Sequence, residues 1–293
     1  MNISKAFGAP YIEQIDMLKA AGFDGFFMGY TGEEQILHDC AAHARKTGMI
    51  FQSLHAPFAK MKSMWEDDEE KGREALEELL HCLDICVQEE IPLLVVHAFI
   101  GFEDHTPTAA GIARFGQLVA AAEKTNVLLA FENTEGEEFL FALMDHFQKD
   151  DTVGFCWDSG HEMCYSYGKD LLKLLGHRLI MTHLNDNLGV SRFDGKTYWT
   201  DDLHLLPYDG IGDWDVFVQR LQKSRKLEYL NFELGRHSKP NRHENDIYTQ
   251  MPDEQYYAEA YKRACRIAGT AQICELNGRA DFTQNFVDAM SFE

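Results

Sequence analysis

Four residues of metal-ligand type close four apolar runs. VLLAFE ends in Glu132, VGFCWD in Asp158, LIMTH in His183 and YLNFE in Glu233. A carboxylate buried without a positive or hydrogen-bonding partner is strongly disfavoured, and several carboxylates in one place do not all ionise without a cation. Three carboxylates and one imidazole suit Mn, Zn, Co or Mg, and the mixed oxygen and nitrogen donors do not choose among them. One such residue would be an ordinary strand cap. Four at matching positions predict a divalent metal ion where the runs meet. A second layer lies at similar places. His55 stands in SLHAPF, His97 in LVVHAF, His161 three residues after Asp158, and Asp202 and His204 in DDLHLLPYDGIGDW. Each alone would serve as a hydrogen-bonded structural residue. Together they predict a polar substrate pocket or further metals.

Apolar runs without period-2 alternation are what strands buried on both faces look like. Strands are predicted over 2–6, 23–28, 49–54, 93–96, 127–131, 153–157, 178–182 and 228–232. Helical apolar spacing separates them at 10–21, 33–46, 69–89, 108–124, 137–147, 169–175 and 214–222, the last behind Asp213 as N-cap. A long helix is predicted from Asp253 towards Ile273, and an amphipathic piece from Asp281 to Met290. Strand and helix alternate with no linker and no internal repeat. The simplest closure is an α/β fold of one domain spanning 1–293, a single (β/α)8 TIM barrel. Such barrels carry their chemistry at the C-terminal ends of the strands, where all the candidate ligands fall.

Composition narrows the partners. The 293 residues are 45% hydrophobic with a formal charge of −21. That charge opposes nucleic acid, whose affinity comes from Lys and Arg meeting phosphates, and favours a small neutral or metal-chelated substrate. No run of about 18 apolar residues predicts a membrane span, and MNISKAFGAPYIEQ lacks the pattern of a secretory signal. Seven cysteines without framework spacing predict reduced thiols and a cytoplasmic protein.

The motifs resemble the xylose isomerase-like TIM-barrel superfamily, from SLHAPF to NFELG. It includes sugar isomerases, ketose 3-epimerases, inosose isomerase-like proteins and the endonuclease IV type of abasic-site nuclease. In the epimerase group one metal is held by Glu, Asp, His and Glu, matched here by Glu132, Asp158, His183 and Glu233. The histidine of a D-x-x-H motif touches substrate there, matched by His161. In the nuclease group nine ligands hold up to three zinc ions. All nine types have a match, in His55, His97, Glu132, Asp158, His161, His183, Asp202, His204 and Glu233. The D-x-H followed by G-x-G, here Asp202 to His204 and Gly210 to Gly212, also occurs in sugar isomerase-like relatives. Departures exist. No arginine follows His183 closely, and the epimerase run E-P-x-N-R-x-E appears as ENTEGEE, without its arginine and with Glu138 at its final position.

The resemblance implies isomerisation or epimerisation of a sugar, sugar phosphate or polyol ketone, with Glu132 and Glu233 transferring the proton. His55, His97, His161, Asp202, His204, Glu138 and Arg236 are the candidate substrate contacts. The alternatives are a trinuclear zinc phosphodiesterase and a metal-binding barrel subunit in glycoside metabolism. A homodimer is implied by resemblance alone. Two loops stay open in role. Residues 59–68, with Met61, Met64 and Trp65, form either a lid or a packed surface loop. The loop 235–252 carries Arg236, His237, Lys239, Arg242 and His243, a possible anion site or a solvated loop. Tyr198 and Trp199 are candidate stacking residues.

Overall fold

A computed structural model of the chain describes residues 1–102, 106–166, 168–191 and 196–290, with 273–290 described by backbone alone. Seven strands form one parallel sheet in sequence order: β1 (Asn2–Ile3), β2 (Gly25–Gly29), β3 (Ile50–His55), β4 (Leu93–His97), β5 (Leu128–Glu132), β6 (Val153–Asp158) and β7 (Leu179–His183). The intervening helices are α1 (Tyr11–Ala21), α2 (Glu34–Thr47), α3 (Glu69–Glu89), α4 (Ala109–Ala122), α5 (Glu137–His146), α6 (Ser159–Tyr165), α7 (Leu171–Leu175), α8 (Trp214–Gln222), α9 (Asp246–Thr249) and α10 (Asp253–Met290). This is the expected barrel. No helix among the described residues is long and apolar enough to cross a membrane.

Register explains why the strand ends converge. His97 pairs with Glu132, and Asp158 with His183. Side chains on a strand alternate between faces. Val95, Ala130, Cys156 and Met181, each two residues before one of these groups, pack with Phe27 and Leu93 in a separate apolar cluster. The intervening Val96, Phe131 and Trp157 belong to the larger core with the helices. The small cluster therefore fills the barrel interior, and the ligand-type side chains sit one layer above it.

The eighth strand expected at 228–232 is not formed. Leu184 and Phe232 make one parallel bridge. Leu184 N donates to Asn231 O at 2.8 Å, Glu233 N to Leu184 O at 3.2 Å, and Asn2 N to Phe232 O at 3.1 Å. Side chains replace the other rungs. Thr182 Oγ1 accepts the Asn231 N–H at 3.0 Å, and the Asn2 amide both donates to Leu234 O and accepts from Leu234 N. The barrel closes, but a side-chain ladder does not fix an extended strand.

Three smaller differences concern element ends. The first strand stops at Ile3 because a 3-10 turn, Lys5–Phe7, starts behind the Ser4 cap. Helix α6, and the one-turn α9 inside the loop 235–252, were not expected at all. The piece predicted over 281–290 continues α10 in its backbone, and its amphipathic character lies outside the described side chains.

The segment 59–68 forms a packed plug, which favours the packed loop over the lid. Met61, Met64 and Trp65 are buried. Trp65 Nε1 donates to Ala98 O at 2.7 Å, directly behind His97. The buried Arg114 donates to the carbonyls of Met64 and Glu66 at 2.8 and 2.7 Å. A Cβ at Gly111 would meet the Trp65 ring at 2.0 Å, and one at Gly72 the Arg114 guanidinium at 2.2 Å, so both helices need glycine there. Six cysteines, Cys40, Cys82, Cys86, Cys156, Cys164 and Cys265, are free thiols; the Cys274 side chain lies outside the described set.

Candidate metal centre

Glu132 is the hub. Its carboxylate is fully buried at the end of β5 and meets imidazoles from four other elements. His183 Nδ1 lies 2.9 Å from Oε1, His55 Nε2 3.2 Å and His97 Nε2 3.4 Å from Oε2, and His161 Nδ1 3.5 Å from Oε1. His183 Nδ1 is also 3.1 Å from the Glu233 carboxylate. Outward from there, the Asp202 carboxylate lies 3.4 Å from His161 Nε2 and 2.9 Å from His204 Nε2. With Asp158, 3.9 Å from His161 Nδ1, all nine candidate ligands form one continuous cluster.

Four groupings within it, the first three overlapping, have donor atoms close enough to share an ion. They are Glu132, Asp158, His183 and Glu233; His55, His183 and Glu233; His55, His97 and Glu132; and His161, Asp202 and His204, each set lying within 4.8 Å. Two ligands on opposite sides of an ion, with bonds of about 2.0–2.2 Å, stand a little over 4 Å apart, so the donor sets fit divalent cations. The inner four-ligand group is buried except for Glu233, whose side chain is 21% exposed. Asp202 and His204 are each 17% exposed and face the outer end.

Electrostatics agree with this chemistry. Burial pushes the Glu132 pKa up, yet His183, His55 and His97 hold it well below the usual carboxylate range. Asp158 is pushed up to about 6, because burial and the repulsion of Glu132 and Glu233 outweigh His161 and His204. Burial disfavours charged imidazoles, but Asp158, Asp202 and Glu132 raise His161 well above its ordinary value. Against the same burial, Asp202 leads in raising His204 to about 9. Without metal, protons on His161, His183 and His204 offset the carboxylates. A divalent cation would displace them, as metal binding releases ligand protons.

Local structure sets the ligands' directions. Asp158 is the N-cap of α6, a short helix whose first turn carries His161 back over the cluster. The D-x-x-H spacing is therefore that of an N-cap and its N3 residue. Asn133 clamps the Asp158 backbone with two 2.8 Å bonds, and Asn185 Nδ2 donates to Asp158 Oδ2 at 2.8 Å. His55 Nδ1 is bonded to Ala56 O at 2.7 Å, which leaves Nε2 for Glu132 or an ion. Phe27 stacks on His183 at 4.6 Å, and the half-exposed Phe58 on His97 at 4.6 Å. Asn133, Asn185, Phe27 and Phe58 were not predicted; Asn133 follows β5 directly and Asn185 stands two residues past β7, which was the available signal. Glu135 is a further omission. It accepts the Gly101 N–H at 3.0 Å, and burial raises its carboxyl pKa.

Two predicted contacts are placed elsewhere. Arg236 is buried, and its guanidinium donates to Tyr248 O at 3.0 Å, Phe7 O at 3.1 Å, Met251 O and Asp253. It clamps the loop to α10 and does not reach the cluster. Glu138 is exposed in the first turn of α5, outside the ligand groupings. Of the late basic loop, Arg242 pairs with Asp201 and Glu244, whereas Lys239 reaches the site, 3.6 Å from Asp202 and 5.7 Å from the centre of the exposed Trp199 ring.

Comparison with known proteins places the fold. A family profile described as xylose isomerase-like TIM barrel matches residues 15–272. Protein y4fM of Sinorhizobium fredii (strain NBRC 101917 / NGR234), itself uncharacterized, is 32% identical over 159 residues, 52% of this chain and 45% of that one. The matched region thus spans about half the length of that curated relative. Among solved structures, the IolI protein with a bound zinc atom superposes with a TM-score of 0.70 at 17% identity, over 91% of this chain and 96% of that one. The 3-keto-D-glucoside 4-epimerase YcjR of E. coli, in apo form, gives a TM-score of 0.66 at 13% identity, over 92% and 98%.

Proposed function

We propose a function from one premise: this chain belongs to the xylose isomerase-like TIM barrel family. The reading is a divalent-metal-dependent isomerase or epimerase of a sugar, a sugar phosphate or a related polyol ketone. The observation that carries it is the convergence of Glu132 and Glu233 on one imidazole nitrogen, 2.9 and 3.1 Å from His183 Nδ1. The zinc atom in IolI and the epimerase activity named for YcjR support the same reading.

Held by Glu132, Asp158, His183 and Glu233, a divalent cation would polarise an α-hydroxy carbonyl and stabilise the negative charge of an enediolate. The remaining work falls to side chains. Glu132 and Glu233 reach the site from β5 and from the closing segment, so one is placed to take the C–H proton and the other to return it. Return on the opposite face inverts the carbon; return to the neighbouring carbon interconverts aldose and ketose. Glu233, the more exposed of the pair, meets the substrate from the open side. His161, between Glu132 and Asp202, suits a substrate hydroxyl.

The test is proton exchange. Glu132→Gln and Glu233→Gln should each abolish solvent deuterium incorporation into a ketose, inosose or sugar phosphate that the wild type turns over, while both variants stay folded. Incorporation that persists in both variants would sink the two-glutamate mechanism.

A second reading, phosphodiester hydrolysis at three zinc ions, is favoured by one observation: the nine ligands fall into overlapping ion-sized groups that include an inner set, a set around His55 and His97, and an outer set, with Glu132 shared between the first two. The charge of −21 works against a polyanionic substrate. Metal content per chain and cleavage of an abasic-site oligonucleotide separate the two. About one ion and no cleavage favour the isomerase; three zinc ions and metal-dependent cleavage favour the nuclease.

A further inference from the structure

Asp186 is a fully buried carboxylate that the proposed chemistry does not use. It stands three residues past the end of β7, and each of its oxygens accepts two N–H groups. Oδ1 takes Asn187 N at 2.9 Å and Gly212 N at 3.0 Å. Oδ2 takes Tyr208 N and Trp214 Nε1, both at 2.9 Å. Its backbone makes a two-way bridge with Leu205, N to O at 2.8 Å and O to N at 2.9 Å, directly beside His204. The far end of the β7–α8 connection is thus wrapped round one carboxylate.

The G-x-G of this connection has its reason here. A Cβ at Gly210 would lie 2.2 Å from Asp186 Oδ1, and one at Gly212 3.0 Å from it. Tyr208 and His204 hold positive φ values of 75° and 49° within the same wrap. Non-glycine residues adopt that region only where their surroundings impose it.

We propose that Asp186 is the positioning residue for the outer group of His161, Asp202 and His204, fixing the loop so that the last two face the first. The inference rests on the second reading above, in which the outer group holds an ion of its own, and not on the proton-transfer roles of Glu132 and Glu233. An amide cannot replace the carboxylate. Whichever way Asn is turned, its NH2 faces two N–H donors.

The experiment is competitive zinc titration against a chromophoric chelator, on metal-stripped full chain. His204→Ala identifies the outer class of zinc as the one it removes. Asp186→Asn should weaken that class by about 10–100-fold, the usual effect of removing a group that orients a ligand, and leave the inner class within about twofold. Trp214→Phe removes one donor of four and should shift the outer class in the same direction by less. Gly210→Ala pushes the loop off Asp186 and should resemble Asp186→Asn. If Asp186→Asn does not fold, the Trp214 and Gly210 variants carry the test. Equal weakening of both classes, an unchanged outer class, or a wild type without a second class would overturn the inference. Loss of deuterium exchange in the glutamate variants is independent of all three.

Discussion

Asp158 Oδ1 accepts the backbone N–H of His161 at 2.7 Å, so one carboxylate both ends β6 and starts α6. Its other oxygen is held by Asn185. A residue that shapes the backbone and also offers a ligand atom links local folding to metal affinity. The two roles are separable by substitution.

Asp158→Asn keeps a capping oxygen but loses the charge. It should fold with a melting temperature close to that of the apo wild type and lose most of its metal, read by elemental analysis. Asp158→Ala should also lose the cap, at about 1 kcal/mol of stability, read by urea unfolding. A metal content unchanged in Asp158→Asn would remove Asp158 from the ligand set.

The plug over 59–68 makes its own prediction. Trp65 is buried against Phe115 and Phe139. Trp65→Ala should cost about 3–5 kcal/mol, as large-to-small changes of buried aromatics do, measured by denaturant unfolding. Mobility of this segment during turnover is not expected, so tethering it to α4 should leave the rate unchanged. A tether that stops turnover would restore the lid.

Arg236 separates stability from binding. Arg236→Met leaves three carbonyls and Asp253 without their donor. It should lower stability by at least about 2 kcal/mol while the KM of the folded fraction stays within about twofold. A large rise in KM at unchanged stability would return Arg236 to the substrate site.

A pH dependence follows from His204. Burial opposes its charge, but Asp202 at 2.9 Å, with Glu233 and Asp158 nearby, raises its pKa from 6.5 to about 9. The folded protein therefore binds this proton more tightly than the unfolded chain does. The resulting stability is fully present below pH 6.5 and is lost as the pH rises through about 9. In chelator, the melting temperature should fall more between these pH values for the wild type than for His204→Gln. Saturating zinc should flatten the difference, because a ligating ring nitrogen carries no proton.

Much of this was readable in the sequence because barrel strands announce themselves. LVVH, LLAFE, GFCWD and LIMTH are apolar on both faces, and each ends in a residue that an apolar run does not need. The parallel register then brings those ends together without further instruction. Other features left no such trace. The closing segment read as a strand because YLNF is apolar, yet Thr182 and Asn2 take over rungs that its backbone would have made. Helix α6 is too short for periodicity to reveal and is fixed by its cap. Arg236 looked like an anion receptor because it opens the basic cluster behind the last predicted strand, where barrel loops often bind phosphate. Its carbonyl partners on Phe7, Tyr248 and Met251 come from the opposite end of the sequence and from a late loop, which no local pattern reports.

A ring opens at its thinnest link. Between β7 and β1 the ring depends on one parallel bridge, three backbone hydrogen bonds and a few amide and hydroxyl contacts, where each other junction carries a parallel ladder of two to five residue pairs. Thermal breathing should start there, and amide hydrogens of 231–234 should exchange with solvent sooner than those of β5 or β6. Glu233 rides on that seam, while Glu132 is set in the middle of the sheet. The two carboxylates that face one another across the site thus differ in freedom: one is an anvil, the other hinged.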